Sequence, residues 1–174
     1  MGIPFRVVQT GHAEERYPEG MSGGEIASYL AVHKADAYPG ELGPAQILLT
    51  ADTLVWQDGK ELAKPGNRDD AIAMLKLLSG RSHEVFTGVC LKAPARMHSF
   101  YALTEVRFSS LETEEIQYYV DQYRPFDKAG SYGIQEWIGH IAVEGIVGSY
   151  FNVMGLPVQK VYHELKSFIK AQFI

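Results

Sequence analysis

Ile47-Leu48-Leu49-Thr50-Ala51-Asp52-Thr53-Leu54-Val55-Trp56 is the most strand-like run of the chain, mostly apolar and rich in residues that suit a pleated, half-buried surface. With its flanks it covers Gln46 to Gln57 and leads directly into Asp58-Gly59, the strongest short hairpin signal. A buried strand followed by a return strand over Lys60 to Lys64 is therefore expected. Asp52 breaks the apolar pattern. An ionised carboxylate buried there alone would cost several kcal/mol, so it needs a cation, a metal, hydrogen bonds or a raised pKa. Such a group is a candidate general base or metal ligand. The plainer alternatives are a structural ion pair or a strand-end carboxylate in a loop. In a two-residue turn Gln57 faces Lys60, which sets Thr53 opposite Lys64, with Cβ atoms about 5 Å apart. One bulge would change the face that Lys64 occupies, and Pro65 just beyond favours an edge or a loop. An exposed hairpin lysine is the plainer reading of Lys64.

Outward from this hairpin, strands and helices alternate. Ile3 to Val8 reads as a short strand, and Glu25 to Tyr38 as a helix stopped by Pro39-Gly40. Asn67 can cap a helix whose first turn carries Asp69 and Asp70, with Gly80 as its stop. His83 to Lys92 and Ser99 to Phe108 read as strands, and Thr113 can cap a helix through Tyr123. Ala129 to Gly155 is rich in glycine and suits short strands between tight turns. Pro157 opens a last helix whose Val158, Val161, Tyr162, Leu165, Phe168 and Ile169 form one stripe. The expected class is α/β with a mixed sheet.

The chain has 174 residues, a length that favours one domain over residues 1–174. Its 46% hydrophobic and 21% charged content is that of a globular chain and excludes the balance that keeps chains disordered. No apolar run approaches the roughly 20 residues that cross a bilayer, and Met1 to Gln9 lacks a signal-peptide layout. A cytoplasmic protein without a membrane partner is expected. A net charge of −5 argues against a nucleic-acid partner, which would call for lysine and arginine spread along one face. An anionic ligand must instead meet a local cluster of cations, helped by a metal ion. Neither Gly-rich phosphate signature is present. His163-Glu164 is followed by Ser167 where a zinc protease needs a second histidine. Cys90, within Val89-Cys90-Leu91, reads as a small buried hydrophobe.

Three further places depart from local rules. With Ile26 at zero and about 100° per residue, Lys34 falls at about 80°, inside the stripe of Leu30, Ala27 and Ala31. It is either an anion binder facing a cleft or a lysine that snorkels from a helix C-terminus. Glu14 and Glu15 stand side by side in the irregular segment after the first strand, as a candidate metal site or as solvated surface. Arg81 and His83 flank Ser82 just after a helix stop, as candidate anion contacts or as surface charge.

Six stretches then stand together: Leu30-Ala31-Val32-His33-Lys34-Ala35, Ala51-Asp52-Thr53-Leu54-Val55, Leu62-Ala63-Lys64-Pro65, Leu78-Ser79-Gly80-Arg81-Ser82-His83, Asp127-Lys128-Ala129-Gly130-Ser131-Tyr132-Gly133-Ile134-Gln135, and Gly148-Ser149-Tyr150-Phe151-Asn152-Val153-Met154-Gly155-Leu156-Pro157. Each is weak alone. In this order, over most of the chain, they resemble the Maf-family nucleoside triphosphate pyrophosphatases. The resemblance implies an elongated mixed sheet flanked by helices, with two lobes around a nucleotide cleft, as in the inosine triphosphate pyrophosphatases. It implies hydrolysis of a nucleoside triphosphate to the monophosphate and pyrophosphate with a divalent cation, Mg²⁺ or Mn²⁺. Carried over by position, Asp52 is the proton acceptor, Lys34 and Lys64 contact phosphate, and Arg81 joins the candidate substrate contacts. Glu15, with Asp52, is the implied acidic metal or water ligand. Thr53 and Gln135 match positions tied to base selection, and the Tyr132-Gly133-Ile134-Gln135 form resembles the branch acting on dTTP and UTP. A homodimer is also implied.

Family members begin with a strand and a Ser-x-Ser-Pro-Arg-Arg loop, which Met1 to Gln9 does not match. Gly2-Ile3-Pro4-Phe5 resembles the segment after that loop, so the arginines that the resemblance would have clamp phosphate or base are not matched in this sequence. Two rival readings follow: a nucleotide-binding or regulatory module linked to cell division that has lost chemistry, and a general phosphatase. Pyrophosphate released from dTTP separates the enzyme from both.

Overall fold

The computed structural model describes residues 2–9 and 16–170. Its elements are helix α1 (Gly23–Asp36), strands β1 (Leu48–Gln57) and β2 (Lys60–Leu62), helix α2 (Arg68–Leu78), strands β3 (Ser82–Ala93) and β4 (Arg96–Phe108), helix α3 (Thr113–Tyr123), helix α4 (Trp137–Ala142), strand β5 (Val143–Val147), helix α5 (Tyr150–Val153) and helix α6 (Val158–Lys170). The class is α/β. One five-stranded sheet has the order β2-β1-β3-β4-β5. Its strands are antiparallel and flanked by helices, where the alternation of elements suggested a mixed sheet. Tight turns join β1 to β2 and β3 to β4, and α2 carries the chain from β2 across β1 to β3 on its other side.

The hairpin forms as the sequence reads. Asp58 (φ 51°) and Gly59 (φ 76°) both take the left-handed region that a primed two-residue turn requires. Gln57 pairs with Lys60, Trp56 with Glu61 and Val55 with Leu62. Pairing then stops. The expected return strand through Lys64 ends at Leu62, so Thr53 and Lys64 are not ladder partners; Pro65, with no N–H, stands just beyond.

Contacts divide the chain into two compact units. The first comprises Met1–Asp52, Thr87–Ala102 and Gly155–Ile174, and the second Thr53–Phe86 and Leu103–Met154. In the first unit, buried Ala31, Ala35, Leu48 and Cys90 pack together beneath α1. Val89, Leu91, Ala93 and Phe100 pack with Val161 and Phe168 of α6. In the second, Val55 and Leu62 join Ala71, Leu75 and Leu78 of α2, Ile116, Tyr119 and Val120 of α3, and Tyr132, Ile134 and Ile138. Cys90 is fully buried, and burial pushes its thiol up to about 11, as fits a small core residue.

Helix starts follow from side chains. Glu25 accepts the Ser22 N–H and hydroxyl, each at 2.8 Å, so α1 starts at Gly23, two residues ahead of the expected Glu25. Asn67 caps α2 by accepting the Asp70 N–H at 3.0 Å. For α3 the cap is Glu112, not Thr113, because the Glu115 carboxylate takes the Glu112 N–H at 2.8 Å.

Other expectations are corrected. Residues 2–9 form no strand: Phe5 and Val7 are 87% and 89% exposed, so the apolar alternation there has no sheet edge to join. The expected 93–98 connection shrinks to a tight turn at Pro94 and Ala95. The 129–155 stretch holds one strand, β5, and is otherwise short helical turns, starting where Gly130 and Ser131 take φ of 67° and 61°. Along α6, Val161 and Phe168 are buried while Tyr162 and Ile169 lie exposed, which narrows the predicted stripe. Among the described residues, no helix is long and apolar enough to cross a membrane.

Candidate active site

In the first unit, small residues let α1 lie directly on the sheet. A Cβ on Gly88 of β3 would stand 2.1 Å from the carbonyl carbon and oxygen of Ala27, so only glycine admits the helix at this height. Ala27 and Ala31 are fully buried on the same helix face. The Thr50 hydroxyl of β1 donates to the Ala31 carbonyl at 2.6 Å, which fixes helix against strand. Asp52 is two residues further along β1 and so on the same face as Thr50. Lys34 is three residues past Ala31, about one turn on. The two steps bring the Lys34 ammonium onto the Asp52 carboxylate, whose Oδ1 accepts from Nζ. The Asp52 side chain is 9% exposed and that of Lys34 29%, so a buried carboxylate has its cation on the side nearer water. Of the two readings of Lys34, its ammonium turns to Asp52 instead of snorkelling into solvent.

The second unit holds the other candidates. Thr53, half-buried, faces away from Asp52, because successive side chains of a strand alternate. Lys64 is exposed, past the end of β2, and its charge reaches Asp127: the carboxyl of Asp127 lies below its usual range through the Lys128 hydrogen bond first, and through Lys64 in addition. Arg81 is held by the hairpin turn, its Nη2 donating to both carboxylate oxygens of Asp58 at 2.7 and 2.8 Å. Asp58 stands six residues from Asp52, roughly 20 Å of extended strand, so Arg81 marks the turn end of β1. Gln135 is exposed on a turn closed by the Glu136 N–H donating to the Gly133 carbonyl at 3.0 Å. Glu15 lies outside the described residues.

Tyr119 and Glu136 escaped the sequence reading, and His83, read there as a candidate anion contact or surface charge, is buried instead. His83, 2% exposed, has Nε2 at 2.7 Å from the Tyr132 hydroxyl, and its ring meets Phe108 and Tyr132 edge-on. Burial lowers its imidazole to about 4, so it is neutral at pH 7. The buried Tyr119 hydroxyl donates to Glu136 and accepts the Gly133 N–H at 3.1 Å. Lys128 bridges Asp127 at 2.8 Å and Glu136 at 3.2 Å. The motif ending at Gln135 was a signal for Lys128, whereas Tyr119 reads from sequence only as an apolar position of α3.

Among the described residues, no group of three or more His, Cys, Asp or Glu side chains converges as a protein-built metal cage. Mg²⁺ seldom needs one: it binds through one or two carboxylates with substrate phosphates and water. Asp52 is an oxygen donor of that kind, and the fully buried Cys90 thiol does not join it. The donor chemistry fits a hard cation carried by a phosphate substrate.

The Maf-like protein family profile matches residues 1–168. A curated relative from Bacteroides fragilis, named dTTP/UTP pyrophosphatase, is 54% identical over 166 residues, 95% of this chain and 86% of its own. Relatives of the same name from Bacteroides thetaiotaomicron and Parabacteroides distasonis are 52% and 48% identical, covering 95% and 97% of this chain and 86% and 87% of their own. A match of this extent, with the six motifs in order, settles membership: the chain belongs to the Maf-like protein family.

Proposed function

We propose that this protein is a nucleoside triphosphate pyrophosphatase that cleaves dTTP and UTP at the α–β bridge, giving the monophosphate and pyrophosphate. The observation that carries the reading is the Lys34–Asp52 pair, a buried carboxylate with its charge balanced by an ammonium from the adjacent helix. Asp52 takes a proton from the attacking water. The water oxygen bonds to phosphorus as the bridging P–O bond breaks, and pyrophosphate leaves with the bridge oxygen. Phosphoryl transfer is mainly positioning and charge neutralisation, and here Lys34 and Lys64 neutralise phosphate oxygens. Asp52 and Glu15 would hold Mg²⁺ or Mn²⁺, which supplies Lewis-acid charge neutralisation when bound. Thr53 and Gln135 read the base, and Arg81 is the outlying substrate contact, after release from Asp58. The names of relatives about half identical over most of this chain support the substrate assignment.

The same reading takes the working form as a cytoplasmic homodimer. Exposed Val147, Phe151 and Met154 offer apolar area to a second copy. Sedimentation showing monomer alone would remove the dimer.

The test of function is product identity. Purified protein with Mg²⁺ and dTTP or UTP should release pyrophosphate and monophosphate in equal amounts. Orthophosphate as first product would indicate a general phosphatase, and tight binding without turnover a nucleotide-binding module.

A further inference from the structure

Gln135 lies on a turn whose two end residues are tied by one side chain outside the motif. Tyr119, on α3, accepts the Gly133 N–H at 3.1 Å and donates to the Glu136 carboxylate from the same hydroxyl. The backbone bond from Glu136 to Gly133 closes the turn between these contacts. There is no slack on the inner side: a Cβ on Gly133 would come within 2.9 Å of the Glu136 carboxylate, and one on Gly139 of α4 within 1.8 Å of the Ile134 carbonyl oxygen. The residue before the turn is anchored separately, by the Tyr132 hydroxyl on His83 of β3. A side chain at the third position of such a turn inherits its direction from the backbone, so whatever fixes the turn fixes where the Gln135 amide points.

We infer that Tyr119, through its bridge across Gly133 and Glu136, and His83, through Tyr132, are positioning residues that set nucleobase discrimination by holding the Gln135 turn. The inference rests on the reading that Gln135 meets the base. Neither residue touches substrate. Both act through a turn whose displacement by about 1 Å suffices to lose up to a hundredfold in rate on the matched substrate.

The experiment compares kcat/KM for dTTP with that for dCTP in the wild type, Tyr119→Phe, Tyr132→Phe, Glu136→Gln and Gln135→Ala, with circular dichroism and Tm as fold controls. Tyr119→Phe should reduce the dTTP preference roughly tenfold or more, through a raised KM for dTTP with kcat within about threefold. Tyr132→Phe should move it in the same direction. Glu136→Gln keeps an acceptor for the Tyr119 hydroxyl and should keep the preference. If Tyr119→Phe does not fold, Glu136→Ala breaks the same contact from the other side. An unchanged preference with a lowered Tm in the phenylalanine variants would overturn the inference, making the bridge purely structural. An unchanged preference in Gln135→Ala would instead remove the base-reading role of Gln135, and the inference with it.

Discussion

At the scale of single residues, Asp52 as the proposed base has to satisfy two demands. It is buried enough to need compensation, and it must remain available to a water molecule. The Lys34 ammonium meets the first demand from the side nearer solvent. Asp52→Asn keeps the shape and removes the proton acceptor, so turnover should fall roughly 10²–10⁴-fold with an unchanged circular dichroism spectrum. Near-normal turnover would take Asp52 out of the base role. Lys64, exposed beyond β2, is expected to act on binding: Lys64→Ala should raise KM for dTTP, and unchanged KM and kcat would exclude phosphate contact. His83 makes a prediction about stability. Its imidazole is lowered by burial to about 4, below the unfolded value of 6.5, so the unfolded chain binds a proton that the native state refuses. Stability is full above about pH 6.5 and falls as the pH drops toward 4, by about 3 kcal/mol in total from this group. Urea midpoints measured across that window should flatten in His83→Gln.

At the scale of elements, the approach of α1 to the sheet decides whether the pair forms at all. Gly88→Ala places a methyl 2.1 Å from the Ala27 carbonyl, so helix or strand must shift. Overpacking of this kind costs typically about 1–3 kcal/mol, and the shift should also draw Lys34 away from Asp52. Urea unfolding and steady-state kinetics on one preparation check both effects; wild-type values in both would show that the close approach does not matter.

The elements themselves were legible where local chemistry is decisive. Asp58-Gly59 specified the turn and register of the hairpin, Asn67 the start of α2, and the Lys34 stripe position a lysine turned toward β1. Legibility ended where partners are distant in sequence. The apolar alternation of 3–8 looks like a strand, but a strand needs a neighbour to pair with, and residues 2–9 have none in the sheet. Lys64 lost its predicted place because the ladder stops at Leu62, where the sequence reading carried it to Lys64 and let Pro65 end it only beyond. The Tyr119 bridge was invisible because a tyrosine on an apolar helix face reads the same whether its hydroxyl is used or idle.

At the scale of the whole molecule, the proposed substrate brings about four negative charges to a chain of net charge −5. Overall charge opposes that encounter, so the proposal assigns binding to Lys34, Lys64 and a divalent cation acting locally. On the proposed reading chelation should abolish turnover, with added Mg²⁺ or Mn²⁺ restoring it. Two compact units share the strands β1, β3 and β4, each of which passes from one unit into the other. The central claim is that Asp52 drives release of pyrophosphate, and one assay addresses it: ³¹P NMR of dTTP with Mg²⁺ and the wild-type protein, beside Asp52→Asn. Stoichiometric pyrophosphate and dTMP from the wild type, and none above background from the variant over the same period, is the expected result. Orthophosphate as the first product, or equal pyrophosphate from both proteins, would contradict it.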